Sequence, residues 1–202
     1  MIRCAGVKPG DFVLDPFCGG GTLLLEALDV FGDLRCLGMD VNRRSTEGAK
    51  ENAIAEGYDE ESCRFITCDA RGLRQHVEEH SVDAIVSNLP WGVMTGASSD
   101  LATLYEIFLR SSWYVLKKGG RIAMLVLRGL QLTRLIRKLS GKYRLLSVNV
   151  VRTTNNLPCL IVVEKLEEDV LIQSIKGQLA HLNQYVNVSP EIFEAIHMET
   201  IE

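Results

Sequence analysis

Short apolar runs and longer stretches of helical periodicity alternate through the first 166 residues. Strand-like patterning marks Phe12 to Leu14, Arg35 to Met39, Arg64 to Thr67, Ala84 to Val86, and the run RIAMLVL that starts at Arg121. Between and after them come helix-length segments: LLLEALDVF, Ser45 to Glu56, a short polar helix around Arg71 to His80, Leu101 to Leu116, and LTRLIRKLS. In the fourth of these, Leu101, Leu104, Tyr105, Phe108 and Trp113 fall near helical spacing and predict one buried face. Gly57 reads as a helix stop, and the glycines of KKGG (Lys117 to Gly120) read as the C-terminal stop of the fourth helix. Such alternation predicts a doubly wound α/β domain, a parallel sheet with helices on both faces. Two last apolar runs, LLSVNVV and CLIVVEK, are separated by RTTNNLP. They predict a hairpin that adds an antiparallel edge, giving seven strands with the last antiparallel.

Length and composition narrow the class. With 202 residues, 47% hydrophobic and 24% charged, the chain suits one domain over 1–166 plus an appendage, expected to be helical, over 167–202. No apolar run reaches the roughly 18 residues of a membrane span. The opening MIRCAGVKPGD lacks the apolar core of a signal peptide, so a cytoplasmic or nuclear location is expected. Six irregularly spaced cysteines, with no C-x-x-C, read as free thiols in a reducing compartment, and no metal site is expected.

Net charge is −4, which taken alone argues against a nucleic-acid binder. Its distribution changes that. From Ile107 to Val163 there is no Asp or Glu, while half of the 22 Lys and Arg residues, Arg128 and Arg152 among them, fall in that window. Two readings stay open, solvated helix faces or a basic surface for phosphates.

The first strand runs into DPFCGGGT, Asp15 to Thr22, and then into a helix. Glycines there let the backbone approach a ligand closely, and the amides opening the helix favour polar or anionic groups. A phosphate loop would need a lysine after Gly21, and a G-x-G-x-x-G pattern breaks at Leu24, so both are set aside. What stands is Asp15-x-Phe17-x-Gly19-x-Gly21. About 20 residues on, Asp40 ends the second strand, where a carboxylate can accept both hydroxyls of a ribose. Asp69, followed by Ala70, ends the third and is read either as a helix N-cap or as an acceptor for an adenine amino group. The fourth strand leaves through SNLPWG, Ser87 to Gly92. Pro90 stiffens that turn, and Trp91 follows it in what reads as an exposed loop.

Taken in order, these motifs resemble the class I S-adenosylmethionine-dependent methyltransferases, whose fold is a Rossmann-like sheet, over about Lys8 to Leu166. VKPGDFVLDPFCGGGTLLLEA with SNLPWG is most similar to the RNA guanine-N2 methyltransferases that carry a THUMP domain, nearest by motif to those acting on guanosine 6 of tRNA. The resemblance implies S-adenosylmethionine as cofactor, held by Asp15, Phe17, Cys18, Gly19, Gly21, Asp40, Asp69, Ala70 and Asn88. It implies catalysis at Asn88, Leu89, Pro90 and Trp91, with the Asn88 side chain and the Leu89 carbonyl accepting from a base amine and Trp91 stacking on the base. It also implies RNA as substrate and, as in eukaryotic relatives, a small zinc-binding activator subunit as partner. Trp91, Arg128 and Arg152 are the expected substrate contacts. Because the likeness starts almost at residue 1, no THUMP domain is expected, as in a fragment or shortened form. Two alternatives stay open: N6-adenine methylation of DNA or rRNA, and a non-catalytic chain of the same fold that binds RNA or a partner.

Overall fold

In a computed structural model, residues 1–92, 98–139, 141–153 and 156–166 are described. They belong to one compact unit, Met1–Leu166, and the helical appendage expected over 167–202 lies outside the described residues. Seven strands form a single sheet: β1 (Phe12–Asp15), β2 (Arg35–Asp40), β3 (Cys63–Thr67), β4 (Val82–Asn88), β5 (Leu116–Val126), β6 (Tyr143–Val150) and β7 (Cys159–Lys165). Their order is β3-β2-β1-β4-β5-β7-β6. Neighbours among β1 to β5 pair in parallel, while β7 runs antiparallel to both β5 and β6. The antiparallel strand is the last in sequence, as expected, but it lies one place in from the edge. The edge itself is β6, which follows the direction of the parallel set.

The helices are α1 (Thr22–Phe31), α2 (Arg43–Ala55), α3 (Ser98–Val115) and α4 (Gly129–Lys138). Strand residues alternate between two cores, as the pleat requires. Val13, Cys36, Val86 and Ala123 face a core filled by Leu24, Leu25, Ala27 and Leu28 of α1 and Ala49 and Ala53 of α2. On the other face Leu14, Met39, Ile85 and Met124 meet Tyr105, Phe108 and Leu109 of α3 and Leu132 and Ile136 of α4. Phe108 and Leu109 are fully buried, each stabilising the fold by about 2 kcal/mol relative to exposure. Covered on both faces, the central strands read as continuous apolar runs rather than alternating ones.

Two local expectations are corrected. KKGG does not cap α3, which ends at Val115. Leu116 already pairs with Val82, Arg121 pairs with Ala84, and the four residues between bulge out of the start of β5, with Gly119 at φ 69°. The polar helix expected from Arg71 to His80 is a single 3-10 stretch, Ala70–Gln75. Asp69 starts it by accepting from the Arg71 amide, and too few apolar positions follow for a longer helix to bury. Gly57, with φ 85°, follows α2 as expected. Among the described residues no helix is long and apolar enough to cross a membrane.

Candidate active site

Parallel sheets of this kind take ligands outside the carboxyl ends of their strands, and four strand ends converge there. The turn after β1 is held down at several points. Cys18 N–H donates to the Met39 carbonyl (2.8 Å), Gly19 N–H to Asp40 Oδ2 (3.0 Å) and Gly21 N–H to the Cys18 carbonyl (2.9 Å). From α2, Asn52 Nδ2 donates to the Gly20 carbonyl (3.0 Å). Gly21 has φ 84°, and a Cβ there would come within 2.8 Å of Phe65 Cζ and 3.2 Å of Ala49 Cβ. The turn thus lies flat on the Phe65 ring, which only glycine permits at this position. Gly21 caps α1 without any side-chain acceptor, so the first amides of that helix point to the same edge.

Asp15 is only 2% exposed. Its Oδ1 accepts from Ser87 Oγ (2.6 Å) and from Phe17 N–H (3.0 Å), which ties the end of β1 to the end of β4 across 72 residues of chain. Burial, helped by the charge of Asp40, pushes its carboxyl up to about 7 against those two hydrogen bonds. The sequence reading gave Asp15 to the ligand; the structure places it behind the wall of the site, as the brace between two strands. Cys18 is likewise buried, its thiol raised by burial and by the nearby carboxylates Asp15 and Asp40, so it is no nucleophile.

In front of that brace lies a cleft of about 450 Å³ whose walls include Phe17, Asp40, Val41, Asp69, Ala70, Asn88, Pro90, Leu101 and Leu104. Asp40 spends one lone pair on Gly19 N–H and one on Asn42 N–H (2.8 Å), leaving each oxygen able to accept again. Asp69 serves as the N-cap and also pairs with Arg71, whose Nη2 lies 2.6 Å from Oδ2; the Arg71 hydrogen bond holds its carboxyl below the usual range. The Phe17 ring is fixed edge-on against Phe108, centroids 5.5 Å apart. A larger hollow of about 580 Å³ opens at the amino edge of the sheet, among Phe12, Arg35, Arg64 and His76. Ligand binding in this fold class follows the carboxyl edge, so the smaller cleft is the candidate site.

The exit from β4 is anchored from below. Leu89 is buried and its N–H donates to the Leu125 carbonyl (3.0 Å), while the hydroxyl of Tyr105 donates to the Pro90 carbonyl at 2.5 Å. Tyr105 is fully buried, and that burial raises its hydroxyl to about 12, so it remains a donor at any physiological pH. Asn88 stays exposed on the cleft wall. Trp91 differs from the exposed ring expected of it. It is half-buried, because Leu89 and Tyr105 draw the turn towards the core, and its indole N–H has no hydrogen-bond partner among the described residues.

Of the residues read from the sequence, Phe17, Asp40, Asp69, Ala70, Asn88 and Pro90 thus share one cleft, while Gly19 and Gly21 hold the turn after β1 against Asp40 and Phe65. Arg128 and Arg152 do not line it. Both are exposed at the same edge of the sheet, Arg128 beside the start of α4 and Arg152 beyond the end of β6. Tyr105, Ser87, Asn52 and Phe65 were not singled out as site residues; Tyr105 carried only a helical-spacing signal for the core. Among the described residues no cluster of His, Cys, Asp and Glu could hold a metal.

Comparisons with known proteins agree with this geometry. The family model UPF0020, described as "RMKL-like, methyltransferase domain", matches residues 1–156. The tRNA (guanine(6)-N2)-methyltransferase of Thermus thermophilus is 36% identical over 167 residues, 82% of this chain and 48% of that protein. A tRNA (guanine(10)-N2)-dimethyltransferase of Methanothermobacter thermautotrophicus is 39% identical over 67% of this chain and 39% of its own length. The crystal structure of TrmN from Thermus thermophilus superposes with a TM-score of 0.72 at 36% identity, covering 82% of this chain and 47% of that one. The chain therefore spans less than half the length of each of these relatives.

Proposed function

Because the chain belongs to the UPF0020, RMKL-like methyltransferase domain family, we propose that residues 1–166 form a catalytic domain that methylates the exocyclic N2 of a guanosine in tRNA, with S-adenosylmethionine as donor. The observation that carries this reading is the meeting of Asp40, Asp69 and Asn88 in one partly apolar cleft at the carboxyl edge. The cleft fits such a cofactor: Asp40 keeps acceptor capacity for two ribose hydroxyls, and Phe17, Leu101 and Leu104 give apolar cover for a purine. Asp69 caps the 3-10 stretch and accepts from the Arg71 amide, Nε and Nη2 on both of its oxygens, so its contact with an amino group requires the exposed Arg71 side chain to move aside.

When bound, the cofactor would supply a methyl group from its sulfonium to the base nitrogen and be left as a thioether, with one proton of the amine released to solvent. Asn88 accepts from the base amine through its side-chain oxygen and turns the nitrogen lone pair towards that methyl. An amide takes up no proton, so Asn88 orients the amine and does not act as a general base. Tyr105 fixes the turn that carries Asn88, and the ring of Trp91 stacks on the extruded base. RNA is the substrate class named for the relatives above, and Arg128 and Arg152 at the same edge supply phosphate contacts. A small zinc-binding activator subunit belongs to this proposal as a partner.

The test is transfer from labelled S-adenosylmethionine to unmodified tRNA, with the product digested and its nucleosides identified by mass spectrometry. N2-methylguanosine, reduced at least about a hundredfold in Asn88→Ala, is expected. N6-methyladenosine would overturn the base assignment. A chain that binds neither cofactor nor RNA would overturn the whole reading.

A further inference from the structure

The hairpin joining β6 to β7 continues past both strands. Val151 N–H donates to the Pro158 carbonyl (2.8 Å) and Thr153 N–H to the Asn156 carbonyl (3.0 Å), and the Thr153 hydroxyl also donates to that carbonyl (2.9 Å). This register sets Arg152 directly opposite Leu157, as a cross-strand pair on one face. Both are exposed, Leu157 at 57%, and Val150, at 66%, stands on the same face, while Val151 points to the other. Two bare aliphatics on an exposed face gain nothing from water.

Its position relates it to the cleft. Asn88 aligns with Leu125 on β5, and Leu125 with Leu160 on β7. Leu157 therefore stands two strands across from Asn88 and three residues beyond it, on the order of 14 Å away by ordinary strand spacings. It is in phase with Cys159, which packs against Gly129 at the start of α4, so the pair lies on the α3 and α4 face, the face on which Leu101 and Leu104 wall the cleft. Arg128, the residue before Gly129, shares that side. No acidic residue occurs from Ile107 to Val163, so neither α4 nor the hairpin end beyond β6 carries an acid that would repel a phosphate backbone.

We propose that Leu157 is a wedge for a base-paired RNA stem: it enters the stack and fills the space left by the extruded guanosine, while Arg152 and Arg128 hold the flanking phosphates. This rests on the guanosine reading above. Swinging a base into the cleft breaks its stacking and pairing, and an aliphatic side chain in the gap restores part of the lost contact. An offset comparable to the radius of a duplex, between wedge and catalytic amide, is what such an exchange requires. The guanidiniums favour RNA over an apolar protein partner for this tip.

Two measurements on the full chain test it, with Leu157→Ala and Leu157→Phe beside the native protein. The first is the ratio of kcat/KM on a folded tRNA to that on an unpaired oligonucleotide carrying the same target. Leu157→Ala is expected to lower this ratio roughly tenfold or more, and Leu157→Phe to restore it. The second is the Kd for an RNA stem, intact or with an abasic site at the target, which needs no methyl transfer. The native chain is expected to bind the abasic stem more tightly than the intact one, because extrusion is already done, and Leu157→Ala is expected to weaken binding to both. An unchanged ratio, or abasic and intact stems bound alike by the native chain, overturns the wedge while leaving guanosine methylation standing. Failure to bind either stem overturns the RNA reading together with the wedge.

Discussion

Replacing Asp15 by Asn isolates the cost of ionising the brace behind the cleft. The carboxyl, 2% exposed, is raised from 3.8 to about 7, chiefly by burial, with Asp40 adding to the push and the bonds from Ser87 and Phe17 opposing it. Between those values the folded chain holds a proton that the unfolded chain has released. Stability is therefore lost as pH rises from about 3.8 to about 7, and the loss is constant above that. A displacement of this size corresponds to about 4 kcal/mol in all, of which about 2–3 kcal/mol falls between pH 5 and pH 8. Asn keeps the shape, its oxygen accepts from Ser87 and Phe17, and it does not titrate. Any penalty for its unpaired amide hydrogens is the same at both pH values and cancels. Urea unfolding of both proteins at pH 5 and pH 8 measures the effect. The stability of Asp15→Asn relative to the native chain should rise by about 2–3 kcal/mol from the lower pH to the higher. Parallel pH profiles would refute the claim that Asp15 is ionised against its surroundings.

Tyr105→Phe removes only the hydroxyl that holds the Pro90 carbonyl. It should lower kcat about ten- to hundredfold while the KM for S-adenosylmethionine stays within about twofold; a change in KM alone would show that the bond shapes the cofactor site instead. Replacing Arg128 and Arg152 together by Ala should reduce the slope of log K against log salt for RNA binding by about 1.5–2, and an unchanged slope would remove both from the interface.

What the sequence made legible is what is local. DPFCGGGT, Asp40 and SNLPWG each sit where a strand gives way to a turn, and hydrophobic periodicity marks those places within a residue or two. The Ser87–Asp15 brace and the Tyr105–Pro90 bond were not legible, since they join residues 72 and 15 positions apart whose contact exists only once β1, β4 and α3 are packed. KKGG was misread because two glycines after an amphipathic helix carry the same signal for a helix stop and for a bulge; pairing of Leu116 with Val82 decides between them. Trp91 was expected to be exposed because its sequence neighbours are polar or small, whereas the burial of Leu89 beside it sets its depth. Asp69 had two readings, and the cap is visible in the chain itself while the ligand contact awaits a bound cofactor.

The place of β7 between β5 and β6 bears on how the chain reaches its native state during synthesis. Among the described residues β6 has no other neighbour in the sheet, so when it leaves the ribosome it has nothing to pair with until Cys159–Lys165 follows. Until then the open side of β5, an interior strand of the finished sheet, is also unpaired. The nascent protein thus carries two bare strand edges at once, and closing them is a single late event in which one segment of seven residues inserts between its two partners. Chaperone dependence and loss to aggregation in the cell should accordingly concentrate in that interval, and a ribosomal stall after Val150 would prolong it.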